Sequence, residues 1–390
     1  MRAVAPLVLL LPLCSSCGLF RGRTVNLDRY EIQSIRADIR RTEKAICPRE
    51  PVQLAVFATA ANKKRTQELQ ELETWSGDPR TSHRVGKMGF DAFAFASTQG
   101  TVDEHGFFHP VSDVLVTADQ GFRITTAYKA DPGRLYVENE YRPDYRCITA
   151  VGGRGASGES GTMGALGAEG QAGSSGTAER AGGSGGDGGA AGNGWPGSDG
   201  GRGPSLTVYA TLVQTAHYDR LVFVRITGDV EDTVLVHPDR TLTIHAAGGA
   251  GGAGGFGGTG GAGGHGGSGH PGGNGGNGGA GGMGGNGGSG GPGGTIVFVY
   301  DARFPDLARM IQLDVSGGPA GGGGWPGGGG SGGSGGSALG EDTSAGARGA
   351  DGPTGQPGPA GVPGPDGEAQ SEAAPLEVIA AALPTGLRPI

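Results

Sequence analysis

Aromatic residues are scarce, at 6% of a 390-residue chain. With hydrophobic residues at 35% and 87 glycines, no ordinary apolar core can run through the whole length. Excess basic charge is lacking: the formal net charge is -8. Without a basic stripe or a basic run interleaved with aromatics, nucleic acid is not an expected partner. The eight histidines are scattered, and no His, Cys and Asp cluster has ligand spacing, so no metal or cofactor is expected. The apolar run at 4–13 is too short to cross a bilayer and stay. Cysteines number only four, and they are informative.

Arg2 followed by the apolar run 4–13 reads as a secretory signal. It ends in Cys14-Ser15-Ser16-Cys17-Gly18. This resembles a bacterial lipobox, in which small residues precede the cysteine that becomes the lipidated N-terminus, although Cys14 stands where that family prefers leucine. The resemblance implies a signal peptide at 1–17, Cys17 as the lipidation site, and a membrane partner reached through the lipid. With no acidic residue after Cys17, it also implies the outer-membrane or cell-surface sorting pattern. Ordinary signal-peptidase cleavage nearby, giving a free secreted or periplasm-facing protein, is the alternative. With Cys17 assigned to lipid, Cys47 and Cys147 remain as a pair, expected to form a disulfide in an oxidising compartment. Residues 18–26 read as a short polar tether.

Residues 27–150 have ordinary composition. Ile32, Ile35 and Ile39 fit either a helix face or an opening strand. Val52, Leu54 and Val56 alternate, as do Phe93 with Phe95 and Phe122 with Ile124, which predicts strands. The charged stretch 63–73 reads as a loop or a short helix. The order of a strand after Cys47-Pro48, then Trp75-Ser76, then Gly100-Thr101-Val102-Asp103-Glu104-His105-Gly106, resembles bacterial Ig-like domains of the Big2 kind. That resemblance implies a β-sandwich closed by strands at 114–128 and 135–137.

From 151 to 390 the chain is dominated by three glycine tracts, 152–203, 248–294 and 317–367. The first places Gly at every third position except Glu179 and Ala191. The second is Gly-Gly-X almost without a break, interrupted at His270-Pro271. The third changes phase across 337–345. Each interruption lies near the middle of its tract, so each tract divides into two arms. Short β-prone segments flank them, at 146–149, 205–209, 241–244, 295–299, 311–315 and 376–379. Further strands are expected at 221–226 and 234–236.

An extended left-handed helix has three residues per turn, about 3.1 Å rise and no internal hydrogen bonds. Where one edge is all glycine, a second backbone can approach and pair with it. Gly-Gly-X frees two edges and Gly-X-Y one, so the second tract suits the interior and the Gly-X-Y arms the rim. Seven or eight turns give arms of about 65–75 Å. The pattern resembles polyglycine-II bundles of a small antifreeze protein and of some phage tip adhesins. The expected fold is all-β plus polyglycine II: an N-terminal Ig-like sandwich, then a small β-sheet domain bearing three glycine-rich hairpins, six extended left-handed helices in all. Disordered linkers and a collagen-like trimer, suggested by the prolines of 346–367, are the competing readings.

Catalytic motifs are uninformative here. Gly182-Gly183-Ser184-Gly185-Gly186 matches a nucleophile-elbow pattern, but in so repetitive a stretch no strand–turn–helix context supports it. The reading is non-enzymatic. Candidate surface-binding residues are Trp195 and Trp325, in repeated Gly-Trp-Pro-Gly motifs, joined by Phe256 and Met283. Trp195 and Trp325 are expected at similar heights, either as a paired platform for a glycan or protein partner, or packed against each other or over the flank of the bundle. The expected function is a lipid-anchored surface protein serving structure, adhesion or interaction. Ice- or surface-binding and a collagen-like trimeric surface protein are the alternatives. Oligomeric state stays open.

Overall fold

The computed structural model describes residues 24–78, 84–384 and 387–390. Cys17, the signal peptide and most of the tether lie outside the described residues. The chain divides into two compact units, the first ending at Cys147 and the second running from Ile148 to Ile390. The boundary expected at 150 moves because Ala150 already begins a strand of the second unit. Among the described residues the regular secondary structure is mostly strand with few short helices, an all-β fold.

Among the described residues the first unit has nine strands: β1 (Tyr30–Ile39), β2 (Ala45–Ile46), β3 (Val52–Asn62), β4 (Arg65–Glu73), β5 (Phe93–Ala96), β6 (Gly100–Val102), β7 (Phe107–Pro110), β8 (Phe122–Tyr128) and β9 (Tyr136–Pro143). One sheet runs β1-β3-β7-β6 with β4 also on β3, and the other runs β2-β9-β8-β5. Side chains from both sheets meet in one cluster that includes Ile39, Leu54, Phe108, Phe122 and Tyr141. Phe108 and Phe122 touch edge to face, 5.8 Å between ring centroids. Trp75 is buried in the same cluster. The Gly100–Gly106 segment makes the β6–β7 hairpin, in which Asp103 Oδ1 accepts from the His105 and Phe107 N–H groups at 2.9 Å and Gly106 supplies a φ of 78°.

Two expectations for this unit need correction. Within the stretch 63–73, residues 65–73 are strand rather than loop or helix: β4 pairs antiparallel with β3 across the turn at 63–64. Sheet pairing overrides its weak local preference, with Leu72 turned into the core. The expected strand over 114–128 begins only at Phe122; Val114–Thr117 is a short 3-10 helix, capped where Asp113 accepts from the Leu115 N–H.

The second unit contains β10 (Ala150–Arg154), β11 (Ser205–Gln214), β12 (Leu221–Gly228), β13 (Asp232–Val236), β14 (Leu242–Ala247), β15 (Thr295–Asp301), β16 (Ile311–Asp314), β17 (Glu368–Ala374) and β18 (Arg388–Pro389), with short helices α1 (Leu307–Met310) and α2 (Leu376–Ala380). Six extended arms, neither helix nor strand, leave and return between them: arm 1 (155–176), arm 2 (182–203), arm 3 (248–269), arm 4 (272–294), arm 5 (317–337) and arm 6 (346–367).

Arms 1, 3 and 5 continue from β10, β14 and β16, which form a parallel three-stranded sheet. Arms 2, 4 and 6 lead into β11, β15 and β17, also mutually parallel. The two sheets thus prolong two layers of arms. Hydrogen bonds join the arms at every third residue. Arm 1 donates to arm 3, as in Gly161 N to Ala253 O at 2.7 Å, and arm 2 donates to arm 4, as in Gly188 N to Asn277 O at 2.8 Å. Between layers the order is 1-2-3-4-5-6, with Gly189 N to Ala168 O, Gly261 N to Gly189 O, Gly279 N to Gly261 O, Gly330 N to Gly279 O and Gly352 N to Gly330 O all at 2.7–2.9 Å. Arms 3 and 4 therefore have four neighbouring arms each, arms 2 and 5 three, arms 1 and 6 two. Glycine content follows that number: arms 3 and 4 are Gly-Gly-X, while arms 1 and 6 are Gly-X-Y.

The exit from arm 6 differs from expectation. The β-prone segment 376–379 lies in helix α2, and the strand is Glu368-Ala369-Gln370-Ser371-Glu372-Ala373-Ala374. That sequence has little strand preference. It is held extended because arm 6 delivers it in register beside β15, from Thr295 opposite Glu368 to Asp301 opposite Ala374.

Candidate functional site

Within the interior arms 3 and 4 one residue in three points away from the bundle, and within the rim arms 1 and 6 two in three do. In arm 3 these are the X residues, including Ala253, Phe256 and Thr259, all exposed between buried glycines. In arm 1 the residue after each glycine leans over arm 2, with the Cβ of Ala165 at 3.6 Å from a methyl built on Gly192. That leaves the residue before each glycine, such as Met163 or Leu166, for the face shared with arms 3 and 5.

Hydrogen bonds fix the heights. Gly164 N donates to Phe256 O at 2.8 Å, and Gly257 N donates to Trp325 O at 2.9 Å. Met163 and Leu166 of arm 1, Phe256 of arm 3 and Trp325 of arm 5 therefore share one face at nearly one level, and all four are exposed. On the opposite layer, Gly194 N donates to Met283 O and Gly282 N to Gly258 O, both at 2.8 Å, so Trp195 and Met283 lie at about that height too. The four sequence candidates thus form a belt, split between faces.

The alternative of mutual packing fails for the tryptophans. They stand on arms 2 and 5, which share no hydrogen bonds, and remain 66% and 74% exposed. Among the described residues no ring contact joins them. Their settings differ as well. Trp195 N donates to Thr162 O of the neighbouring arm at 2.9 Å. Trp325 is flanked one turn either side, on its own face, by Gly322 and Gly328, where an added methyl would meet nothing within 4 Å. Met163 and Leu166 were not singled out from sequence; the period of three placed them outward, but not beside Phe256.

The face of arms 2, 4 and 6 is built otherwise. Asp187, Asn193 and Asp199, spaced by six, accept through Oδ1 from the N–H groups of Asn277, Met283 and Ser289 at 2.7, 2.9 and 2.6 Å. Asn274 and Asn277 accept likewise from Ala347 and Ala350, both at 2.9 Å. These side chains satisfy outward N–H groups that no backbone reaches. Their spacing of six was visible in sequence.

The group most like a reactive site lies where the arms leave the three-stranded sheet. His245 Nδ1 is 2.6 Å from Asp314 Oδ2, and Ser316 Oγ donates to Asp314 Oδ1 at 2.6 Å. The Ser316 hydrogen bond, helped by His245 and opposed by burial, lowers the Asp314 carboxyl to about 2. Serine and histidine both address the carboxylate rather than each other, so no nucleophile–base pair results. Among the described residues no group of three or more His, Cys, Asp and Glu side chains is placed to hold a metal, and no helix is long and apolar enough to cross a membrane.

Cys47 and Cys147 form a disulfide with Cα atoms 6.0 Å apart, tying the residue that follows β2 to the end of the first unit across 100 residues. Comparison with family models, with curated proteins and with solved structures finds no match to this chain.

Proposed function

We propose that this is a non-enzymatic, lipid-anchored surface protein that presents side chains on a rigid polyglycine-II bundle. Cys17 carries the lipid at an outer membrane or cell surface, and an Ig-like first unit follows it. The observation that carries the reading is the period-three hydrogen bonding between all six arms, with glycine content matched to the number of neighbouring arms. Three residues per turn and no bonds within an arm are the attributes of an extended left-handed helix. Such a lattice holds each outward residue at a set height without a side-chain core.

Two observations support closure within one chain. Methyls built on Gly164 of arm 1 and Gly352 of arm 6 meet Gly192 O at 2.1 Å and Gly279 O at 2.0 Å, so the outermost arms turn their glycine edges inward. Their other edges carry side chains, which block a further arm. The prolines of arm 6 fall where no N–H is needed, since only its glycines donate to arm 5. A single-chain bundle therefore accounts for the prolines without a collagen trimer. The aromatic spot at Phe256 and Trp325 interrupts the uniform small-residue face that ice binding would require.

Light scattering with small-angle X-ray scattering on the chain from Gly18 onward tests this. The expected result is a compact monomer; coil-like scattering or a trimeric rod overturns it. Replacing Cys17 by serine is expected to release the protein from the membrane fraction.

A further inference from the structure

Of the glycines in arm 5, most are demanded by neighbours. Methyls built on Gly323 and Gly324 would each meet a carbonyl oxygen at 1.9 Å, and one on Gly327 at 1.8 Å. Gly322 and Gly328 are exceptions, facing open space on either side of Trp325. Bundle packing gives no reason for glycine at either position. Their effect is to clear a strip about two turns long, roughly 19 Å, with the indole standing at its centre.

Three features define what would fit that strip. The indole offers a broad apolar surface, and Phe256 and Met163 widen it at the same level. Gly322 and Gly328 act only as acceptors within the bundle, toward Gly254 N and Gly260 N, and their own N–H groups have no hydrogen-bond partner. Charge is missing: on arms 1, 3 and 5 the first ionisable residue pointing out of this face beyond Met163 is Glu169, two turns away. An apolar platform with bare donors on both sides and no charge matches a ligand with a flat C–H face rimmed by hydroxyl oxygens. A lipid surface would leave the donors unmatched, and an anionic polymer would find no cation.

We propose that Trp325, on the strip cleared by Gly322 and Gly328 and beside Phe256 and Met163, is a binding site for a neutral glycan. This rests on the reading of the unit as a rigid presenting lattice. Trp195 has no such strip, because its N–H is taken by arm 1 and Ser198 occupies the next turn, where its Oγ accepts from Glu159 N. The two Gly-Trp-Pro-Gly motifs thus divide into one site and one cover.

Affinity electrophoresis of the full chain in native gels containing glycogen, galactomannan, xylan or hydroxyethylcellulose tests it. At least one polysaccharide is expected to retard the protein. Trp325→Ala, and separately the double variant Gly322→Leu with Gly328→Leu, should weaken that retardation at least tenfold, and Trp195→Ala less than twofold. The leucines enter open space, so folding is retained and lost binding reports the blocked strip. Four blank gels overturn the proposal, as does equal sensitivity to Trp195→Ala. Trp325-dependent sedimentation with phosphatidylcholine vesicles, or a Trp325-dependent dimer in light scattering, also overturns it, assigning the face to lipid or to a second copy. Blank gels with compact scattering remove only the glycan site; coil-like scattering removes the lattice as well.

Discussion

At Gly282 an added methyl would meet the Gly192 carbonyl oxygen at 1.9 Å, whereas at Gly322 it would meet nothing within 4 Å. The same substitution should therefore have opposite consequences one arm apart. Gly282→Ala must push two backbones apart and is expected to cost roughly 3 kcal/mol. Gly322→Ala should be neutral or stabilising by up to about 1 kcal/mol, through reduced freedom of the unfolded chain. Denaturant titration of both variants checks this, and equal losses would contradict the assigned arm order. Asp314 supplies a pH signature at the same scale. Its carboxyl is lowered from 3.8 to about 2, so its stabilisation is complete above pH 4 and disappears as pH falls toward 2. Allowing for partial exposure, the amount is about 1–2 kcal/mol. Melting curves between pH 5 and pH 2 should fall less steeply for Asp314→Asn than for the wild type.

Among the elements, the first unit depends on one covalent tie. The disulfide closes a loop of 100 residues, for which loop-closure entropy suggests about 4–5 kcal/mol. The paired change Cys47→Ser with Cys147→Ser should lower the first unit's thermal transition and leave that of the glycine arms in place; an unshifted first transition would show the tie to be dispensable. Strand β17 teaches a different lesson. Its sequence, rich in Ala and Glu, reads as a helix former, yet it lies extended against β15 with all but Ala374 exposed. Strand β4 is a second case, a charged stretch made regular by its partner β3. Strand β4 was misread because its state rests on pairing with β3 across the turn at 63–64 rather than on its own residues, and β17 was passed over for 376–379 because its partner β15 is distant in the chain.

For the molecule as a whole, amide exchange should carry the arms' period of three. The N–H groups of Gly257 and Gly258 in arm 3 both donate within the bundle, at 2.9 and 3.0 Å, while those of Gly322 and Gly328 have no bundle partner. Exchange followed by NMR is expected to be slow at the first pair and fast at the second. Uniformly fast exchange along all six arms would contradict a hydrogen-bonded bundle.

Sequence alone determined the period of three, the three tracts and the polar interruptions where they turn. These are local facts, carried by which position lacks a side chain. It also ordered the arms from interior to rim, since the number of glycine edges limits the number of neighbours. Which arm lies beside which was left to the tertiary structure, because glycine edges are chemically alike and only the two parallel sheets set their order. The same holds for the site. Met163, Phe256 and Trp325 are scattered over more than 160 residues, and only the registers of β10, β14 and β16 bring them to one level of one face.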